Sequence, residues 1–232
     1  MVVISIISMV AKLSQAEETP QVFLNFRGED VRYNLVSHLT YALEMDNINY
    51  FIDVHERRGK DLNHLFERIE DSSIAIALFS PRYAESKWCL DELVKMKKLA
   101  DKNELIVIPI FYKVEAEDVS DLKGAFGENF YKLAKANPDR ATKWKHAIVS
   151  ICNYMGMSLP DKSSEADFVK DIVKEVKRVV EAIQLEEKEN HSIKQYMSRK
   201  GKQVSAGPVM VDDWFLFVIL VFLCFVIWTK LS

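Results

Sequence analysis

Ser80-Pro81-Arg82-Tyr83-Ala84-Glu85-Ser86-Lys87-Trp88-Cys89-Leu90-Asp91-Glu92-Leu93 follows a short apolar run, Ser73-Ile74-Ala75-Ile76-Ala77-Leu78-Phe79, that holds neither Gly nor Pro. The run is β-branched in part and lacks polar alternation, so it reads as a buried strand. Pro81 ends it, Ser86 is placed to cap a helix, and Trp88 to Ala100 carries helical periodicity. On a wheel of about 100° per residue, Cys89, Leu93, Met96 and Ala100 fill an apolar sector with Trp88 and Leu99 at its edge. Glu92 falls inside that sector, one turn after Trp88. Asp91 falls outside it, where Lys95 at i+4 can pair with it. A solvated face therefore accounts for Asp91. For Glu92 two readings stay open: a carboxylate turned inward as a site, or one at the rim of the apolar face that reaches solvent.

Working upstream, Gln21-Val22-Phe23-Leu24-Asn25-Phe26 is a strand candidate, Arg27 to Arg32 a turn, and Leu35 to Met45 a helix with Leu35, Leu39, Ala42 and Leu43 inward. Gly28 at that junction either lets backbone N–H groups approach an anion or makes a plain tight turn capped by Glu29 or Asp30. Ile48 to Ile52 is a second strand. Asp53 to Asp61 is a mixed-charge loop, long for an α/β connection and so a candidate lid or a solvated crossing. Leu62 to Ile69 is a short helix.

Downstream, Leu105 to Tyr112 is a fourth strand, Glu115 to Asn137 holds short helices, Ala141 to Cys152 is a helix, and Gly156 to Leu159 is a weak fifth strand. Ser164 and Asp167 resemble a capping box before the amphipathic series Phe168, Ile172, Val176, Val179 and Ile183. Repeated alternation of strand and helix predicts an α/β fold, a parallel sheet with helices on both faces.

The chain has 232 residues and a formal net charge of −3, with 49% hydrophobic and 28% charged residues. That composition is globular, and neither the net charge nor any basic stripe suits a nucleic-acid binder. Cys89, Cys152 and Cys224 are an odd, scattered set that fits a reducing compartment. Residues 1–19 are expected to be an N-terminal arm, because the apolar Met1 to Val10 lacks the basic n-region of a signal peptide. Residues 186–210 read as a polar linker. Trp214 to Trp228 is fifteen apolar residues without a charge, about 22 Å as a helix against a hydrocarbon core of about 30 Å. Trp at both ends suits the membrane interface, and Lys194, Arg199, Lys200 and Lys202 place the preceding side in the cytosol. The expectation is a single-pass transmembrane tail anchor over 211–230, with the endoplasmic reticulum a candidate membrane and the domain cytosolic.

Val22 to Asp30, Tyr50-Phe51-Ile52-Asp53, Tyr83 to Leu93 and Val107 to Tyr112 together resemble the Toll/interleukin receptor (TIR) domain of plant immune receptors. The resemblance covers about residues 20–185 and implies a flavodoxin-like five-stranded parallel sheet. It also implies NAD+ cleavage, with Glu92 as the catalytic residue, Arg27, Gly28, Glu29, Asp30, Val31 and Arg32 lining the nucleotide site, Gly59 in a gating loop, and Trp88 flanking Glu92. NAD+ would be substrate rather than cofactor, and no metal is implied. The partners implied are other TIR domains, met through Ser37-His38 on the first helix and a surface near Gly156. Asn25 stands where the family usually has Ser, and Glu115 to Ser120 lacks the family's Pro and Arg. No phosphate-binding Gly-x-x-x-x-Gly-Lys-Ser/Thr motif is present and no leucine-rich repeat follows, so the chain resembles a receptor reduced to its signalling domain. Two functional classes remain open: an NAD+-cleaving enzyme switched on by self-association, and a catalytically weak adaptor acting through TIR–TIR contact.

Overall fold

Apolar runs flanked by helix starts build a five-stranded sheet in the computed structural model, which describes residues 20–52, 63–159 and 164–204. The strands are β1 (Val22–Phe26), β2 (Tyr50–Phe51), β3 (Ile74–Phe79), β4 (Ile106–Phe111) and β5 (Met157–Ser158), in the order β2-β1-β3-β4-β5. All pairings are parallel. The central strands are near-continuous apolar sequence because both faces are covered. Both outer strands are two residues long. On β4, Pro109 pairs with Ala77 of β3.

The helices are α1 (Gly28–Val31, continuing through a π segment Arg32–Val36 into Ser37–Met45), α2 (Asn63–Glu70), α3 (Lys87–Ala100), α4 (Ala116–Asp121), α5 (Gly124–Ala136), α6 (Pro138–Cys152) and α7 (Glu165–Val204). Strand residues alternate between two cores. Phe23, Ala75, Ala77, Phe79, Val107 and Phe111 pack with Leu90, Leu93 and Met96 of α3 and with Trp144 and Ile148 of α6. Val22, Leu24, Phe26, Ile74, Ile76 and Leu78 pack with Leu35, Leu39 and Leu43 of α1 and with Ile172 and Val176 of α7. The chain thus sends the helix after β1 to one face and the helix after β3 to the other.

Capping follows the sequence. Ser86 Oγ accepts the Cys89 N–H at 3.3 Å, a cap of about 1 kcal/mol that starts α3. Ser164 Oγ accepts the Asp167 N–H at 3.1 Å ahead of α7.

Several local expectations change. The turn expected at Arg27 to Arg32 is helical from Gly28, and the extra residue of the π segment keeps Leu35, Val36 and Leu39 all buried. The short helices expected between Glu115 and Asn137 include one of 13 residues, α5. Pro138 opens α6 rather than interrupting it, since its missing N–H is not needed in the first turn. The stretch expected as a linker from residue 186 is helical as far as Val204. The chain divides after Gln184 into two units, the second beginning at Leu185. Among the described residues no helix is long and apolar enough to cross a membrane. The N-terminal arm, the Asp53–Asp61 loop with Gly59, and Trp214–Trp228 lie outside the described residues.

One glycine is set by close approach. A Cβ on Gly127 of α5 would lie 1.9 Å from the Leu122 carbonyl oxygen, and Leu122 holds the left-handed end of α4 at φ 54°. The backbone, not a side chain, would have to move. Gly127→Ala is expected to destabilise the domain by about 1–3 kcal/mol, read as a lower urea midpoint with an unchanged slope.

Candidate functional site

β1 and β3 are neighbours whose following helices leave to opposite faces, so a crevice opens beyond their carboxyl ends. Ligands of open α/β sheets bind at such a switch point. There, α1 begins at Gly28 and α3 at Lys87, and a cavity of about 350 Å³ lies between them. Leu24, Phe26, Arg27, Gly28, Glu29, Arg32, Tyr33, Ser86, Trp88, Cys89 and Glu92 line it. Six residues expected from sequence therefore line the same cavity: Arg27, Gly28, Glu29, Arg32, Trp88 and Glu92.

Glu92 is 8% exposed. It is one of four buried polar side chains among the described residues, with Asn25, Ser72 and Ser80. The Asn25 amide donates to Glu92 Oε2 at 2.7 Å and to the Cys89 carbonyl at 3.2 Å. The Tyr83 hydroxyl donates to Asn25 Oδ1 and also lies 3.1 Å from the Cys89 carbonyl. Burial first, then the neighbouring Cys89 and Glu92, hold the Tyr83 phenol well above its usual range, so it stays protonated and donates. Burial and the Glu92 charge push the Cys89 thiol up to about 12. Cys89 is accordingly a neutral thiol that donates to the Phe26 carbonyl at 3.3 Å, and it is no nucleophile at neutral pH.

Between the start of α1 and the approach to α3, cations and carboxylates alternate. Arg27 donates to Glu29 at 2.7 Å and to Glu85 at 2.8 Å, with Asp30 at 3.8 Å. Arg82 reaches Glu85 at 2.8 Å. The hydrogen bond from Arg82, followed by the Arg27 and Arg82 charges, draws the Glu85 carboxyl below its usual range. The Arg32 guanidinium lies 5.7 Å from the centre of the Phe26 ring. Trp88, expected at the edge of the apolar sector, is 47% exposed at the rim.

Other expected residues sit elsewhere. Asp30 accepts from Ser80 Oγ at 2.6 Å behind the cavity wall, and Val31 is wholly buried in the core between α1 and the sheet. Ser37 and His38 are exposed on α1. Gly156 backs against β4, where a Cβ would lie 2.5 Å from the Pro109 carbonyl. A larger open groove of about 1080 Å³ is lined by Met155, Gly156, Asp171, Lys174 and Arg178 among others. It holds none of the buried polar side chains, so the chemistry is assigned to the smaller cavity.

A protein-family model described as "TIR domain" matches residues 21–201. The chain belongs to the TIR domain family. It is 49% identical over 183 residues to "Disease resistance protein RBA1" of Arabidopsis thaliana, covering 78% of this chain and 50% of that protein. "Disease resistance protein RPS4" of the same plant is 48% identical over 176 residues, covering 75% of this chain and 14% of that one. The chain thus spans at most half the length of these relatives. The TIR domains in "Structure of the activated Roq1 resistosome directly recognizing the pathogen effector XopQ" are 36% identical at a TM-score of 0.63, covering 68% of this chain and 99% of that one.

Within this TIR domain the residues missed by sequence reasoning are Tyr83 and Glu85, on the 3₁₀ turn Tyr83–Glu85, and Asn25 as a partner of Glu92. An Asn at a wholly buried strand position was the available signal, since a buried amide requires partners. One expectation is corrected. Asp91 is not a solvated residue paired with Lys95. Arg140 reaches it at 2.5 Å, and the buried Trp144 indole donates to it at 2.8 Å, whereas Lys95 pairs with Glu70. Both Asp91 partners come from α6, about 50 residues downstream, which the helical wheel of α3 does not contain. Asp91→Ala is expected to cost about 1–3 kcal/mol through the stranded indole N–H and the lost ion pair, measured by urea denaturation.

Proposed function

We propose that this chain is a plant-type immune signalling protein whose TIR domain cleaves NAD+ to nicotinamide and ADP-ribose products when copies gather. The observation that carries this reading is a buried carboxylate, Glu92, facing a cavity that also holds two arginines and a rim tryptophan. NAD+ loses nicotinamide as a neutral leaving group from a cationic N-riboside, so no acid has to protonate it. The C1′–N bond breaks with its electron pair on nicotinamide, the ribosyl carbon becomes oxocarbenium-like, and water adds with release of a proton. A fixed carboxylate beside that carbon stabilises the developing charge or holds the ribose hydroxyls. Arg27 and Arg32 would meet the diphosphate, Glu29 and Glu85 giving way on Arg27. Trp88 would lie along a ring of the substrate.

The relatives named above support the setting, since RBA1 and RPS4 are disease resistance proteins and the Roq1 TIR domains belong to a resistosome. Assembly through Ser37 and His38 and through the Gly156 surface extends that reading to this chain's partners, other TIR domains. Full-length protein, clustered artificially, is expected to release nicotinamide from NAD+. Glu92→Gln is expected to lower the rate by about 10²–10³ with its melting temperature preserved. Activity retained in Glu92→Gln would remove that residue from the mechanism. No nicotinamide from clustered wild type would favour an adaptor that only joins other TIR domains.

The sequence Trp214 to Trp228 supports a membrane tail anchor that keeps the TIR domain on the cytosolic side. Full-length protein is expected to stay with membranes through alkaline carbonate washing, and a chain ending at Asp213 to leave them. Full-length protein found in the carbonate wash would overturn the anchor.

A further inference from the structure

We propose that Asn25, held from behind by Tyr83, is the positioning residue of Glu92. The inference deepens the NAD+-cleaving reading and rests on it for its kinetic consequence. A helix fixes where a glutamate begins but not how its carboxylate lies, because the last torsion of Glu is broad. Here one carboxylate oxygen is tied back to β1. Asn25 is wholly buried, and its two amide protons are both used, toward Glu92 Oε2 at 2.7 Å and the Cys89 carbonyl at 3.2 Å.

The direction of these bonds follows from chemistry. A carboxylate and a backbone carbonyl can only accept, so the NH₂ end of the amide must face both. Oδ1 is then left to accept from the Tyr83 hydroxyl, which it does. Reversing the amide would set oxygen against oxygen at Glu92 and at Cys89 and would turn an NH₂ group toward the Tyr83 hydroxyl, leaving that proton only the Cys89 carbonyl at 3.1 Å. Tyr83 therefore locks the amide, and the amide locks the carboxylate. The donor brings no charge of its own, so it orients Glu92 without adding a full positive charge beside the ribosyl carbon. Serine at the same strand position is one bond shorter and carries one proton. It cannot satisfy Glu92 and the Cys89 carbonyl together.

The test uses full-length protein in detergent, selectively labelled with ¹⁵N-asparagine, together with steady-state kinetics of the clustered protein. The Asn25 side-chain amide is expected to show one strongly downfield, slowly exchanging proton that moves upfield in Glu92→Gln. Asn25→Ser is expected to lower kcat by about 10–10²-fold, and Tyr83→Phe by a smaller factor, with KM within about twofold of wild type. Loss of folded protein would change the apparent enzyme concentration and the melting curve; loss of positioning changes kcat per folded molecule. An Asn25 amide signal indifferent to Glu92→Gln, or a kcat in Asn25→Ser equal to wild type, would overturn the proposal. If wild type releases no nicotinamide, the enzymatic reading fails. The amide signal then decides alone whether Asn25 holds the carboxylate.

Discussion

Two adjacent parallel strands, β1 and β3, that send their helices to opposite faces are the constraint on which this molecule depends. The registered pairing of Val22–Phe26 with Ile74–Leu78 ends both strands at one level, so the chain must diverge there and leave a crevice. Everything assigned to the site hangs from that divergence. Arg27, Gly28 and Glu29 are the first residues after β1, and the segment from Ser80 to Glu92 is the path from β3 into α3. The cavity is thus a by-product of topology, and the sequence at its edge supplies chemistry. The two central strands can be apolar on both faces because the two helical layers cover them; one polar residue, the wholly buried Asn25 behind Glu92, interrupts that rule.

The cavity holds its carboxylates in two different settings. Glu29 and Glu85 share arginines near the surface, where solvent screens the pairs and each contributes little to stability. Glu92 lies in the buried layer, where an amide and a phenol form a short chain of neutral hydrogen-bonding groups behind it. The first arrangement can be exchanged for an incoming anion at modest cost. The second is part of the folded core and moves only if the core moves. The surroundings of the cavity therefore differ in rigidity from the arginine pairs to Glu92.

How much of this was legible in the sequence depended on range. The apolar runs of β1, β3 and β4 and the amphipathic face beginning at Phe168 are local patterns, and the structure forms them with small shifts at the ends. The inward direction of Glu92 was legible for the same reason, since it depends on α3 alone. Asp91 lies on the same helix and was misread, because its partners Arg140 and Trp144 are contributed by α6. The Tyr83–Asn25 contact joins residues 58 apart and leaves no periodic trace. The helical start at Gly28 was hidden by a residue type that favours turns, which burial of Val31 and Leu35 overrides. Four ordered motifs identified the family more firmly than any of these patterns identified the site.

The rims of the sheet set how copies of this chain can meet. In a parallel ladder a residue's N–H and C=O point to the same neighbour, and the Pro109 carbonyl faces Gly156 on the β5 side. The position where β4 would offer its next donor to that side has no proton to give. β5 ends after two residues, and β2 at the opposite rim is equally short. Among the described residues, each border carries only two paired residues, a poor template for a further strand. A partner that met either rim would find side chains there before it found free backbone.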